Sequence, residues 1–289
     1  MKILSLEKVS YLYGKDTPFE IRALDSVSLS FEKGSVTGII GHTGSGKSTL
    51  VQMLNGLLRP TEGRVLLDGK DIWEKPREIG QVRFRVGLVM QYPEYQLFDS
   101  TVREDIAYGP KNMKLSAEQI AARVSEAANF VGLSEELLDR SPLELSGGQK
   151  RRAAIAGVIA MRPEILVLDE PAAGLDPRGK AEIFDALLAY RRAHGATVIL
   201  VSHSMEDMAK YCDNVVLMKG ASVLRTGTVA EIFREDALLS ESGLSVPVVY
   251  TLAKELRRRG MPLEGELYTV TGVRDALMKL LSDKEIKER

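Results

Sequence analysis

The chain has 289 residues, 44% of them hydrophobic and 27% charged, which is typical of a globular protein. Its 39 basic and 40 acidic residues nearly cancel, so the composition does not support bulk, non-specific binding of nucleic acid. The single cysteine, Cys212, cannot form an internal disulfide bond. No run of about 18 apolar residues is long enough to cross a bilayer, so a role at a membrane would require a spanning partner.

Short apolar runs separated by turns predict strands in the first part of the chain. These strands are expected at residues 3–9, 27–31, 36–40, 64–67 and 86–90. The run at 36–40 leads directly into a glycine-rich loop, and the apolar spacing after that loop predicts a helix over 48–58.

The middle of the chain has little strand signal. We expect a helical subdomain at about 93–160, which includes a helix over 116–131 with Ser116 as its N-cap. Strands return at 165–168 and 198–201 with a helix over 177–193 between them, as a βαβ unit requires. The sequence therefore predicts an α/β domain over 1–233 that carries a helical insertion.

A C-terminal helical extension is expected over 234–289. Apolar spacing predicts one helix over 246–259, with Pro247 near its start and Gly260 just beyond its end. A second helix is expected over 273–281, with Thr271 as its cap.

The segment GHTGSGKS at 41–48 fits the phosphate-loop pattern G-x-x-x-x-G-K-[ST] and lies between a predicted strand and a predicted helix. Its glycines let backbone N–H groups point at phosphate oxygens, and the helix adds the positive end of its dipole. Lys47 is expected to reach the β- and γ-phosphates, and Ser48 to bind Mg²⁺. A glycine-rich turn with a chance lysine is the disfavoured alternative, because it does not account for the flanking elements. The expected nucleotide-binding residues here are Gly41, His42, Thr43, Gly44, Ser45, Gly46, Lys47, Ser48 and Thr49.

His42 is not required by this chemistry. We expect it to face solvent or to pack rather than to act in catalysis.

Two carboxylates follow the apolar run ILVL, at Asp169 and Glu170. A buried parallel strand that ends in this way delivers acids to the carboxyl edge of the sheet, where ligands bind. Asp169 is expected to hold Mg²⁺ or its water shell, and Glu170 to polarise the attacking water. An isolated Asp-Glu pair would more commonly be a helix cap and a surface acid, but the upstream phosphate loop favours the catalytic interpretation. The loop and the acids together predict a nucleoside triphosphatase without specifying its kind.

The pentapeptide LSGGQ lies between the phosphate loop and the acids. Ser146 and the backbone of Gly147 and Gly148 can cap a helix that begins near Gln149, so its N-terminus would form a second anion site. With its motifs in this order, the chain resembles the ATP-binding cassette (ABC) family. The resemblance implies a P-loop cassette fold, with a mixed-sheet core, an N-terminal antiparallel β subdomain and an inserted helical subdomain. It also implies that Ser146, Gly147, Gly148 and Gln149 contact the γ-phosphate held by another subunit, so hydrolysis of ATP requires a dimer.

The same resemblance gives roles to further residues. Gln91 matches the glutamine that senses the γ-phosphate and the metal, His203 the histidine that contacts the γ-phosphate, and Asp176 the loop that crosses the dimer interface. Tyr13 lies where the family places an adenine-stacking aromatic residue, with Tyr11 as the alternative. One departure is Ala172, where many cassettes have threonine, and we expect its effect to be small.

The segment QYPEYQLF at 91–98, together with PFEIRAL, RSPLELSGGQKRRAAIAGVIAM and DEPAAGLDPRG, narrows the resemblance. It is similar to the ATPases of energy-coupling factor (ECF) transporters, most of all to the second of their two paired ATPases. This implies a role in the uptake of vitamins or metal micronutrients, with the chain bound at the cytoplasmic face of the cell membrane. The implied partners are a second cassette ATPase, a membrane coupling subunit and a substrate-binding membrane subunit, with no nucleic acid.

Two structural alternatives stay open. The resemblance implies that residues 93–98 line a groove that receives helices of the coupling subunit, whereas Tyr95, Leu97 and Phe98 could instead only pack the helical subdomain. We favour a mixed role, because an apolar rim just after Gln91 could couple the nucleotide state to a partner. The C-terminal helices either pair the two ATPases or fold back on their own domain.

Three rival functions also remain. One is an ordinary ABC importer or exporter, and another is a regulatory subunit that does not hydrolyse ATP, against which Glu170 and His203 argue. The third is a soluble cassette that acts on nucleic acid or the ribosome, which would require a coiled-coil insertion or a second cassette. The solute cannot be read from the sequence, because such an ATPase contacts nucleotide and partners but not cargo.

Overall fold

The computed structural model describes the backbone of residues 1–287 and the side chains of residues 1–282. The strands are β1 Lys2–Tyr13, β2 Ile21–Glu32, β3 Val36–Ile40, β4 Glu62–Leu67, β5 Lys70–Asp71, β6 Val86–Val89, β7 Ile165–Asp169, β8 Thr197–Val201, β9 Asn214–Lys219 and β10 Ser222–Thr228. The helices are α1 Lys47–Leu54, α2 Ile79–Arg85, α3 Val102–Asn112, α4 Ala117–Phe130, α5 Glu135–Leu138, α6 Gly147–Ile159, α7 Pro177–His194, α8 Met205–Tyr211, α9 Val229–Arg234, α10 Asp236–Glu241, α11 Val248–Arg258 and α12 Val270–Lys287.

The strands of the described part form two sheets. An antiparallel sheet has the order β2-β1-β4-β5, and a six-stranded sheet has the order β10-β9-β3-β8-β7-β6. In the larger sheet β9, β3, β8, β7 and β6 run parallel, and only β10 is antiparallel to its neighbour. The expected mixed-sheet core with an N-terminal antiparallel β subdomain is thus confirmed, as is the βαβ unit formed by β7, α7 and β8.

Alternation along the strands divides the core between the two faces of the larger sheet. On β7, Leu166 and Leu168 point towards the helical subdomain, whereas Ile165 and Val167 point towards α1 and the antiparallel sheet. All four side chains are buried, as expected for a central parallel strand with both faces covered.

The helical subdomain is built by α3 to α6. Ser116 caps α4 in a capping box with Gln119, so the predicted cap is confirmed. The pentapeptide LSGGQ at 145–149 is called the signature, and α6, which begins within it, is called the signature helix. This helix packs against α3 and α4. Ser146 and Gly147, at the start of α6, are exposed.

Several predicted helix bounds were wrong. Helix α1 ends at Leu54 rather than at residue 58, and the chain then turns through Gly56, whose φ is +70°. Helix α12 begins at Val270, and its cap is Thr269 rather than Thr271: the Thr269 Oγ1 accepts a hydrogen bond from the Gly272 N–H at 3.0 Å. Helix α12 also extends to Lys287, well beyond the predicted end at 281. The hairpin of β9 and β10 was not predicted.

The C-terminal extension has a small core of its own, formed by Ala253, Leu263, Leu267 and Val273. Leu239 of α10, by contrast, belongs to the main core. No helix in the described part of the chain is both long enough and apolar enough to cross a membrane.

Candidate active site

The carboxyl ends of β3, β6, β7 and β8 meet at one edge of the larger sheet, where they border a cleft of about 440 Å³. Open sheets of parallel strands bind ligands at this edge. The cleft brings together many of the residues singled out in the sequence: Tyr13, Thr43, Gly44, Gly46, Lys47, Ser48, Thr49, Gln91, Asp169, Glu170 and His203.

The phosphate loop closes on itself through its lysine. The Lys47 Nζ donates to the carbonyl oxygens of Gly41 at 2.7 Å and of His42 at 3.0 Å. Burial lowers the pKa of Lys47, while the charges of Glu170 and Asp169 oppose the shift. The Lys47 side chain is therefore buried and is held in the loop by hydrogen bonds to two backbone carbonyl oxygens.

Gly46 shows why the loop needs a glycine before the lysine. Its φ is +101°, and a Cβ at this position would lie 2.4 Å from the Ala23 carbonyl oxygen. The close approach of β2 to the loop thus leaves no room for a side chain.

His42 and Ser45 belong to the loop but do not line the cleft. His42 is exposed, with its Nδ1 2.6 Å from the Thr43 carbonyl oxygen. Ser45 is fully buried, and its Oγ has no hydrogen-bond partner among the described residues.

Glu170 occupies an unusual position directly after β7. Its φ of +51° lies in the left-handed region, which costs a non-glycine residue of the order of 1 kcal/mol or more. The Glu170 N–H donates to the Val201 carbonyl oxygen at 3.0 Å, and this bond holds the backbone in place. The carboxylate is only 14% exposed, and the His203 Nε2 lies 3.5 Å from its Oε1.

The electrostatics of the two acids follow from their burial. Burial raises the pKa of Glu170 to about 7; a backbone hydrogen bond from His203 opposes the shift, and the charge of Asp169 adds to it. Burial also raises the pKa of Asp169, against the effects of the Ser48 hydroxyl and the Lys47 ammonium. Glu170 can therefore exchange a proton near neutral pH, as a general base must.

His203 lies two residues beyond the end of β8, with its side chain 54% exposed. Burial lowers the pKa of His203, and the charge of Lys47 acts in the same direction, whereas the charge of Asp169 opposes the shift; the net effect favours the neutral imidazole.

Of the two tyrosines considered for stacking, only Tyr13 lines the cleft. Its ring is 40% exposed, and its hydroxyl lies 3.3 Å from the Thr49 Oγ1. Tyr11 meets the Tyr13 ring edge-on, with centroids 4.8 Å apart, and packs towards the core.

The signature residues and Asp176 lie outside this cleft. Ser146 caps α6: its Oγ accepts from the Gln149 N–H at 3.4 Å, and its own N–H donates to the Gln149 Oε1 at 2.9 Å. A Cβ added at Gly147 or Gly148 would meet nothing within 4 Å, so the start of α6 is open to approach. Asp176 caps α7 through the Gly179 N–H at 2.6 Å.

The cleft also contains residues that the sequence did not point to: Ile21, Arg22, Ala23 and Val201. Ile21 is the strand partner of Tyr13 in the pairing of β1 with β2. The register of that pairing includes several shifts, so no local pattern predicts that Ile21, Arg22 and Ala23 lie at the cleft.

Comparison with known proteins agrees with the motifs. A family model described as ABC transporter matches residues 24–173. The chain is 49% identical over 278 residues to the energy-coupling factor transporter ATP-binding protein EcfA2 of Caldanaerobacter subterraneus subsp. tengcongensis, covering 96% of this chain and 97% of that protein. It is 50% identical over 283 residues to the protein of the same name from Symbiobacterium thermophilum, covering 98% of each.

Solved structures give the same picture. CbiO1 of Clostridium perfringens, described as part of the ABC transporter complex CbiONQ, superposes with a TM-score of 0.74 at 38% identity, over 89% of this chain and 99% of that one. The cassette MJ0796, solved as a dimer in a post-hydrolysis state bound to ADP and Pi, has a TM-score of 0.71 at 29% identity, over 78% of this chain and 99% of that one.

The Glu170→Gln variant is expected to be more stable than the wild type in alkaline solution. Because the folded pKa of about 7 lies above the ordinary 4.5, the stability contributed by the protonated carboxyl is present below 4.5 and lost as the pH rises through 7. Glutamine removes this loss, so the free energy of unfolding of the variant should exceed that of the wild type by roughly 2 kcal/mol at pH 8, allowing for solvent in the cleft.

Urea unfolding of the nucleotide-free protein at pH 5 and pH 8 measures this difference. Glu164→Gln, at the other end of β7, is the control. An equal difference between Glu170→Gln and wild type at both pH values would contradict the assignment of a raised pKa.

Proposed function

The chain belongs to the ABC transporter family as an ATP-binding subunit of the energy-coupling factor type, and we propose that its cleft hydrolyses ATP to drive uptake of vitamins or metal micronutrients. As a member of this family it is an ATPase that energises transport. One observation carries the proposal for the site. A single cleft gathers Lys47, Glu170 and His203, whereas the anion-binding start of α6 lies outside it and faces solvent.

The phosphate loop binds the triphosphate in this proposal. An ammonium has three N–H donors, and Lys47 uses two of them on the carbonyls of Gly41 and His42. The third donor is left for a phosphate oxygen, and the loop N–H groups and the positive end of α1 bind the others. Tyr13 provides a half-exposed aromatic face on which adenine can stack.

The residues around the loop fit Mg²⁺. Ser48, Gln91 and Asp169 all line the cleft and offer a hydroxyl, an amide and a carboxylate oxygen, which are the hard donors that Mg²⁺ prefers. When bound, Mg²⁺ would neutralise charge on the phosphates.

Glu170 and His203 serve the hydrolytic step. With a pKa of about 7, the Glu170 carboxylate can accept a proton from the water that attacks the γ-phosphorus. The neutral imidazole of His203 lies next to this carboxylate and can donate a hydrogen bond to a γ-phosphate oxygen. The backbone at Glu170, fixed by its bond to Val201, keeps the carboxylate in position.

A second chain completes the site. The start of α6 presents Ser146, Gly147 and Gly148 to solvent, and a helix N-terminus of this kind binds anions. We propose that it contacts the γ-phosphate held by a second, different cassette ATPase, and that Asp176 lies at the interface. The related MJ0796 cassette is itself a dimer in its ADP and Pi complex.

A largely apolar groove of about 510 Å³ lies between α2, α3 and α6 and fits the membrane coupling subunit. Gln96, Leu97 and Phe98 line it, and Phe98 is stacked edge-on against Tyr108 at 5.0 Å. Both residues are more than half exposed, as expected of a docking surface. Occupation of the groove would hold the chain at the cytoplasmic face of the cell membrane, together with a substrate-binding membrane subunit.

The C-terminal extension, residues 234–289, is proposed to help pair the two ATPases, next to a nucleotide-binding domain over 1–233. The apolar side chains along α11 have different surroundings. Val249 and Leu256 pack on the small core of the extension, whereas Leu252 is 52% exposed. Part of this apolar face thus packs on its own chain and part remains available for a partner.

The Glu170→Gln variant should bind ATP but turn it over at least about 10²-fold more slowly, the scale of losing a key transition-state group. Turnover of purified complexes and equilibrium binding of ATP are the two measurements. Glu164→Gln is the control and should retain wild-type turnover. Unchanged turnover in Glu170→Gln would refute the site.

Purification of the tagged chain from native membranes tests the transport role. Recovery with a second, different cassette ATPase and two multi-span proteins would support it. Recovery with ribosomes or DNA would refute it.

Two variants separate the proposed surfaces in the same purification. Phe98→Glu places a charge in the groove and should lose the membrane proteins while the second ATPase is retained. Leu252→Glu should weaken recovery of the second ATPase instead. Each variant is the control for the other, and wild-type recovery from both would show that neither surface is used.

A further inference from the structure

Arg151 is a buried arginine on the signature helix α6, five residues beyond the cap Ser146. Its side chain is 3% exposed. Its Nε and Nη2 donate to the two carboxylate oxygens of Glu94 at 3.0 Å and 2.6 Å, and its Nη1 donates to the carbonyl oxygen of Ala173. The guanidinium also lies 5.7 Å from the centre of the Tyr92 ring. This one side chain therefore joins three separate segments.

Each of the three segments has a place in the proposed site. Tyr92 and Glu94 lie between Gln91, which lines the cleft, and Gln96 to Phe98, which line the groove. Ala173 lies between Glu170 and Asp176. The third segment is α6 itself, whose first turn carries the signature. The guanidinium thus connects the cleft, the groove and the proposed dimer contacts.

Stability alone does not explain a contact of this kind. Removing two charges from water costs about as much as their attraction returns, so an apolar pair of similar volume is often at least as stable. Although burial alone would raise the pKa of Glu94, the hydrogen bonds and charge of Arg151 outweigh it and hold that pKa below its ordinary value. The pair instead fixes the relative orientation of the two side chains, because the guanidinium donates to both oxygens of the carboxylate.

We propose that Arg151 is a positioning residue that makes the segment after Gln91, the start of α6 and the loop carrying Asp176 move as one unit. A partner helix that shifts Gln96 to Phe98 would then displace the signature and the Asp176 loop together. This inference rests on the proposed function, because it requires those segments to form one composite site. Neither Arg151 nor Glu94 lines the nucleotide cleft.

The test uses the whole transporter complex, purified with its partners and carrying Glu94→Gln, Arg151→Gln or both. Each single variant should lower kcat for ATP hydrolysis by roughly tenfold or more, as expected when catalytic groups are misplaced. The double variant should lower it no further, because one linkage is broken in all three. Binding of ATP to the chain should stay within about twofold of wild type, since the cleft is untouched. Arg151→Lys keeps the positive charge but cannot bind both oxygens of Glu94 in the planar geometry of a guanidinium. Its kcat should therefore lie between those of Arg151→Gln and the wild type.

Arg103→Gln is the matched control. Arg103 also binds two carboxylates, Glu135 and Asp139, at 2.6 Å and 2.8 Å, but it lies on the outside of the helical subdomain. Its loss should leave kcat at the wild-type value.

A role in folding alone would reduce the yield or the melting temperature while leaving kcat per folded complex unchanged. If the single variants do not fold, Glu94→Met with Arg151→Met removes both charges and should fold, yet show the same loss of kcat. A kcat within twofold of wild type in folded Glu94→Gln or in that double variant would overturn the inference. Glu170→Gln in the same assay separates failure of this inference from failure of the proposed function. If Glu170→Gln is inactive, the proposed function stands even when the inference about Arg151 fails. If Glu170→Gln is fully active, the proposed function itself fails.

Discussion

The parallel pairing of β3, β8 and β7 is the constraint on which the site depends. Three loops from distant parts of the sequence begin at the same edge of the sheet only because these strands run in one direction and in register. The phosphate loop leaves β3, Glu170 leaves β7 and His203 follows β8, so their positions are set by backbone hydrogen bonds rather than by the loops themselves. These strands are buried on both faces, and close packing of this kind favours the accurate placement of groups that hydrolysis requires.

Burial has a second consequence, which is electrostatic. The same surroundings that exclude water from Glu170 and Lys47 lower the pKa of the lysine and raise that of the glutamate. Burial thus makes the charged form of each group less favourable, and the charges of a triphosphate with Mg²⁺ would change that balance. In a site of low polarity, each hydrogen bond to a phosphate oxygen is also stronger than it would be in water.

Much of this arrangement could be predicted from the sequence, and the limits of prediction are physical. The phosphate loop, the acids after β7 and the cap at Ser146 are local patterns, because their chemistry depends on residues within one turn or one strand end. Ile21 and Arg22 enter the cleft through the register of β1 with β2, which includes bulges that no local pattern encodes. The cap of α12 was misplaced by two residues because threonines at 269 and 271 are both plausible caps, and only the fold selects one. Arg151 and Glu94 are 57 residues apart in the sequence, and only packing of the helical subdomain brings them into contact.

The contact between Arg151 and Glu94 bears on how the cleft becomes active, because the signature residues lie outside it. In the proposed function, Lys47, Glu170 and His203 line the cleft of one chain, whereas the start of α6 contacts the nucleotide of a partner. A subdomain that moved without restraint would lose the benefit of preorganisation, because the entropy of placing it would oppose hydrolysis at each turnover. The buried guanidinium of Arg151 joins α6 to the segments that follow Gln91 and precede Asp176, and so restricts the subdomain to one coupled motion. The groove lined by Phe98 lies at the other end of the same segment, so a membrane partner can act on the signature without contacting nucleotide.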